Sequence, residues 1–248
     1  MKKIAIKLFK EAKANEINHL AIQLTYRLIF ALFPFLIFLI SLIGFFNINA
    51  EYILEEIYLI FPDEIAGVIN GVLEDVLGAR NAAVLSLSLL LALYTSVVGF
   101  KAVMHGINKV YGQADTRHVL LQWTYSLISM LTLAVALISS ILLTIIFNPI
   151  GILATIPILI FSIIIIYRLC IGRKKSVLSL LPGAILTLAV WVISAFGFNI
   201  YVNNFQQFSL IYGSLTSVFL AMLWLNIISF TILFGALLNA ILEKNRNF

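Results

Sequence analysis

Residues Pro182 to Ala240 form two long apolar arms joined by an uncharged polar segment, which runs from Tyr201 through Asn203, Asn204, Gln206, Gln207 and Tyr212 to Ser214. Each arm exceeds the roughly 20 apolar residues needed to cross a bilayer. In lipid such a run must satisfy its backbone internally, so a transmembrane helical hairpin is the expected structure. Its ends give it a direction. Arg173, Lys174 and Lys175 precede the first arm, Lys244 and Arg246 follow the second, and the joint carries no charge. Short loops rich in Lys and Arg stay in the cytoplasm, so the joint is expected to face outward.

The remaining residues repeat this pattern. Of the 248 residues 62% are hydrophobic and 11% charged, against about 25% charged in soluble domains. Further spans are expected over about 24–46, 82–100, 122–147 and 150–169. Pro34 lies inside the first and Pro157 inside the fourth. With the fifth and sixth spans of the terminal hairpin, the fold class is an all-α polytopic membrane protein with six transmembrane helices and both termini cytoplasmic. A single domain, 1–248, is expected. It comprises a basic N-terminal segment at 1–20, an acidic outer insertion at 47–81, and basic connectors at 101–118 and 170–177. Within the insertion, Ile65, Val68, Ile69, Val72, Leu73, Val76 and Leu77 fall on one helical face. Two short amphipathic helices, about 50–61 and 63–77, are therefore expected outside the membrane. The first apolar run starts too late and runs too long for a signal peptide, so the N-terminus is expected to be retained.

Counting charge by side supports this topology. Fifteen of the 16 Lys and Arg fall on segments expected inside, Arg80 being the exception, and seven of the 11 Asp and Glu fall on 47–81. The net charge of +5 is divided among separate short segments, which fits membrane orientation better than a nucleic-acid surface. The lone Cys170 excludes an intrachain disulfide and a cysteine-based metal site. His19, His105 and His118 have no nearby carboxylate cluster in sequence. No metal, phosphate-loop or nucleophile motif is present, so no catalytic residue and no cofactor is expected.

Polar residues inside spans are costly and need partners. The candidate substrate path comprises Arg27, Pro34, Lys101, Asn199, Asn203, Asn204, Tyr212 and Asn226. For the amides the alternative is ordinary hydrogen bonding between helices; for Arg27 and Lys101 it is snorkelling toward headgroups. Gly235 and Ala236 suit a close helix approach.

Several of these segments resemble the YihY/BrkB family of bacterial inner-membrane proteins, some formerly labelled ribonuclease BN. The matching features are Leu24 to Pro34, Asn108-Lys109-Val110-Tyr111-Gly112, Leu181-Pro182-Gly183-Ala184, Tyr201 with Asn204-Phe205, Tyr212-Gly213-Ser214-Leu215, and Gly235 to Ala240. Ala31 stands where many members carry a small residue, often Ser. The resemblance implies a six-span plasma-membrane protein of poorly defined role. Combined with the residues, it favours a non-enzymatic translocator or permeability factor for a lipid-like or amphipathic molecule. The alternative is a structural protein docking an envelope partner through 51–77. The ribonuclease label finds no support in these residues. Membrane lipids and a second copy of the chain are the other expected partners.

Overall fold

The computed structural model describes residues 2–45, 67, 70, 71, 82–113, 116–147, 150–171, 176–204 and 214–246, with several side chains near helix ends left aside. Among them there is no strand. The chain folds into α1 (Lys2–Ala14), α2 (Ile17–Phe45), α3 (Ala82–Val110), α4 (Val119–Phe147), α5 (Ile150–Ile171), α6 (Val177–Asn204) and α7 (Ser214–Arg246). Gly67, Asn70 and Gly71 are also helical. The amphipathic helices expected over 50–77, and Tyr212 in the hairpin joint, otherwise lie outside the described residues.

Four helical stretches are long and apolar enough to cross a membrane: Val119–Phe147, Leu153–Ile171, Val177–Phe198 and Val218–Lys244. Helices α2 and α3, at 29 residues each, are about 44 Å long at 1.5 Å per residue.

Helices α2 to α7 alternate in direction. Each packs on its neighbour in sequence, and α7 closes the ring by packing on α2, while α3 reaches across it to touch both α5 and α7. The end of α1, the end of α3 and the end of α7 meet around Glu11, Asn15, Tyr111, Gly112, Glu243 and Lys244, at the basal end of the bundle. Here α1 lies against the bundle, with Leu8 buried and the Phe9 ring 5.8 Å from that of Phe234.

The helices run further at this end than the apolar runs predict. Instead of stopping at Phe100, α3 continues to Val110, because Lys101, His105 and Lys109 are tolerated in a helix while Ala102, Val103, Met104, Ile107 and Val110 bury against the core. The basic connector expected at 101–118 is thus helical over its first ten residues. Gly112 stops it at φ 64°. The Gln113 N–H donates to the Asn108 carbonyl (2.9 Å) and the Gly112 N–H to that of Lys109 (3.0 Å), the Schellman arrangement that needs a left-handed residue. Likewise α2 begins at Ile17 rather than near Leu24, and α6 begins five residues before Pro182.

Candidate functional site

Two polar assemblies hold the interior together, and a third stands open at the basal end. The first joins α5, α6 and α7. Tyr167 and Thr187 are buried, their hydroxyls 2.7 Å apart. The Tyr167 hydroxyl donates to the Ile232 carbonyl (2.7 Å), and that of Thr187 faces the carbonyls of Gly183 (2.8 Å) and Thr231 (3.2 Å). Two hydroxyl protons thus serve three carbonyls and one hydroxyl contact. One turn closer to the basal end, Asn239 on α7 is 2% exposed. Its Oδ1 accepts from the Gly183 N–H (2.7 Å) and its Nδ2 donates to the Leu180 carbonyl (3.0 Å). Pro182 lacks the N–H that would bond the Leu178 carbonyl, and Asn239 binds the backbone of α6 on either side of this proline, at Leu180 and Gly183.

Glycine makes this contact possible. A Cβ on Gly235 would overlap Thr187 Oγ1 and lie 2.6 Å from Tyr167 Oη, and one on Gly183 would overlap Asn239 and the Gly235 carbonyl. Such small-residue seams let helix backbones approach closely in membranes.

The second assembly joins α2 to α7. Asn226 Nδ2 donates to Thr25 Oγ1 (3.2 Å), which lies 3.4 Å from Ser229 Oγ and donates to the Ala21 carbonyl (2.7 Å). Thr25 and Ser229 are buried and Asn226 is half-buried.

The third is a cleft of about 520 Å³ lined by Lys101, Met104, His105, Lys109, Gly112, Gln113 and Gln122. Helix α3 supplies Lys101, His105 and Lys109 at four-residue steps, hence on one face; the end of its Schellman turn supplies Gly112 and Gln113, and α4 supplies Gln122. Among the described residues that line it none is a carboxylate. Lys101 Nζ lies 5.6 Å over the Trp123 ring, within cation–π range, and Trp123 stacks on Tyr94 with centroids 5.4 Å apart. Arg117 holds the far side of the connector. Its guanidinium donates to the carbonyls of Leu169 (2.7 Å) and Cys170 (2.9 Å) at the end of α5, and lies 4.8 Å from the Tyr125 ring.

The residues singled out from sequence are dispersed over this framework. Lys101 lines the cleft, Asn226 belongs to the α2–α7 seam, and Arg27 is exposed on α2. Pro34 is half-buried inside α2. Asn199, Asn203 and Asn204 lie in the last turns of α6, their side chains, like Tyr212, outside the described residues. Sequence reasoning passed over Tyr167, Thr187 and Arg117. A usable signal was the four-residue spacing of Gly183 with Thr187, matched by Thr231, Gly235 and Asn239. Among the described residues no three His, Cys, Asp or Glu side chains come together.

The family model described as Virulence factor BrkB matches residues 8–248. The chain is similar to ribonuclease-like protein YfkH of Bacillus subtilis (strain 168), 23% identical over 262 residues that cover 96% of this chain and 94% of YfkH. A UPF0761 membrane protein of Xanthomonas oryzae pv. oryzae (strain PXO99A) is 34% identical over 74 residues, or 30% of this chain and 17% of that protein. The UPF0761 membrane protein XCC0860 of Xanthomonas campestris pv. campestris matches to the same extent. No solved structure matches. With apolar helices of membrane-spanning length and a family match over nearly its whole length, the chain is a membrane protein that belongs to the virulence factor BrkB family.

Proposed function

We propose that this is a bacterial plasma-membrane protein that gives a lipid-like or amphipathic molecule a path through the bilayer without converting it chemically. The observation that carries this reading is the basal cleft, where the described lining residues bring cationic and amide side chains, and no carboxylate, to the rim of a bundle with apolar flanks. A molecule with an anionic head and an apolar body matches both surfaces at once. The polar seam of Thr25, Asn226 and Ser229 supplies hydroxyl and amide groups deeper between α2 and α7. Arg27, Pro34, Lys101, Asn199, Asn203, Asn204, Tyr212 and Asn226 remain the candidate path.

In this reading α2 and α3 join the four apolar stretches named above as spans, giving six, and the basal end faces the cytoplasm. The charge count supports that orientation, because short cytoplasmic loops are enriched in Lys and Arg. The test is reconstitution into liposomes carrying fluorescent-headgroup lipids, with a membrane-impermeant quencher reporting movement between leaflets. The expected result is movement faster than in protein-free liposomes and slowed by Lys101→Gln with Lys109→Gln. A rate equal to that of protein-free liposomes, with correctly inserted protein, overturns the reading.

A further inference from the structure

The face of α3 that carries Lys101, His105 and Lys109 does not end at the cleft. Stepping back along the helix by three or four residues gives Val98, Tyr94 and Leu91, all exposed. These six positions fall within about 80° of one another on an α-helix at 100° per residue. One stripe therefore changes from apolar to cationic along its length, and the change falls at Trp123, which stacks on Tyr94 and sits beneath the Lys101 ammonium. Aromatic side chains of this kind concentrate where hydrocarbon meets headgroups.

We infer that this stripe is a binding site for one anionic phospholipid, its phosphate held by Lys101, His105 and Lys109 and an acyl chain lying along Val98, Tyr94 and Leu91. The inference rests on the membrane placement proposed above and goes beyond it by naming the ligand class and the pose; it requires binding and not movement. Several features favour an anion. Two ammonium groups line the cleft, with no carboxylate among the described residues of its walls, and their aliphatic stems reach along apolar surface toward the headgroup level. Gln113 and Gln122 add neutral donors able to contact phosphate or glycerol oxygens. The apolar continuation selects a lipid over a free phosphate compound, because a soluble anion would leave Val98, Tyr94 and Leu91 unused.

The experiment uses the full chain in vesicles containing brominated-chain phosphatidylglycerol or phosphatidylcholine, with quenching of Trp123 as the reading. A Trp123→Phe variant subtracts emission from Trp191 and Trp224. The expected result is a preference for phosphatidylglycerol that falls on the order of tenfold in Lys101→Gln with Lys109→Gln. Lys101→Arg with Lys109→Arg should retain it, and Lys10→Gln with Lys13→Gln on α1, which removes equal charge elsewhere, should change it less than about twofold. An absent preference, or equal loss in the α1 variant, overturns the assignment in favour of general surface charge. Release of the lipid by inorganic phosphate, beyond that by chloride at matched ionic strength, overturns it in favour of a free-phosphate site. Failure of lipid movement with this preference intact refutes the proposed function alone.

Discussion

Replacing Asn239 by Leu tests whether the α6–α7 contact is held by a side chain that bonds the backbone of α6 on both sides of Pro182. Leucine keeps the branching of the side chain, in a slightly bulkier form, but removes the acceptor for the Gly183 N–H and the donor to the Leu180 carbonyl, at 2.7 and 3.0 Å. Side-chain hydrogen bonds inside membrane bundles average about 0.6 kcal/mol, because the unfolded state also finds partners. That sets a floor near 1 kcal/mol for two. Leaving a buried donor or acceptor unmatched costs about 1–3 kcal/mol each, a ceiling near 6. The Leu180 carbonyl can also accept from the amide one turn ahead in α6, so the loss should fall at about 2–3 kcal/mol. In a Pro182→Ala background the regained N–H pairs with the Leu178 carbonyl and supplies neither of these groups, so the same Asn239→Leu change should cost as much, within about 0.5 kcal/mol. Unfolding in mixed micelles, followed by tryptophan fluorescence, measures all four proteins. A cost below about 0.5 kcal/mol, or one that falls by half or more in the Pro182→Ala background, refutes this role.

Other substitutions probe different joints. Arg117→Ala removes two charge-assisted bonds to the end of α5 and a cation–π contact; it should cost about 2–4 kcal/mol, with Arg117→Lys losing roughly half as much and chymotrypsin cutting near Tyr111 faster in both. Gly235→Ala should destabilise by about 1–3 kcal/mol through overpacking, whereas Gly197→Ala, with open space around its Cβ position, should be neutral or stabilising by up to about 1 kcal/mol. Burial, reinforced by the nearby Glu243 carboxylate, pushes the Tyr111 phenol above its ordinary value of 10.0. A phenol kept neutral in the fold but ionised when unfolded contributes stability that is intact below that ordinary value and declines above it. Tyr111→Phe should therefore flatten the fall in stability above about pH 10, measured as the difference between the two pH profiles.

The long apolar runs were legible because hydrocarbon thickness and helical rise leave little freedom in how such segments fold. Their ends were not. Hydropathy falls at Lys101, yet helix α3 persists because its interior face stays apolar as far as Val110, and only Gly112 supplies the left-handed step that ends it. Reading Lys101, His105 and Lys109 as a connector hid their shared helical face and the cleft it forms. Tyr167 was hidden for the opposite reason: it follows four isoleucines, and nothing local shows that its hydroxyl meets Thr187 across a helix pair. Gly235 was easier, since a glycine within an apolar span has few uses other than close approach. Asn226 was identified from its polarity, while its partner Thr25 lies some two hundred positions away and carries no mark of the pairing.

Arg117 ties the loop after α3 to the tail of α5, so the cleft rim is mechanically linked to a helix that does not line it. A swing of α5 must either drag Gln122 and Gly112 along or strip two carbonyls of their shared cation. Either way the mouth would change width together with the tilt of α5, a rod that packs on two walls of the cleft without lining it.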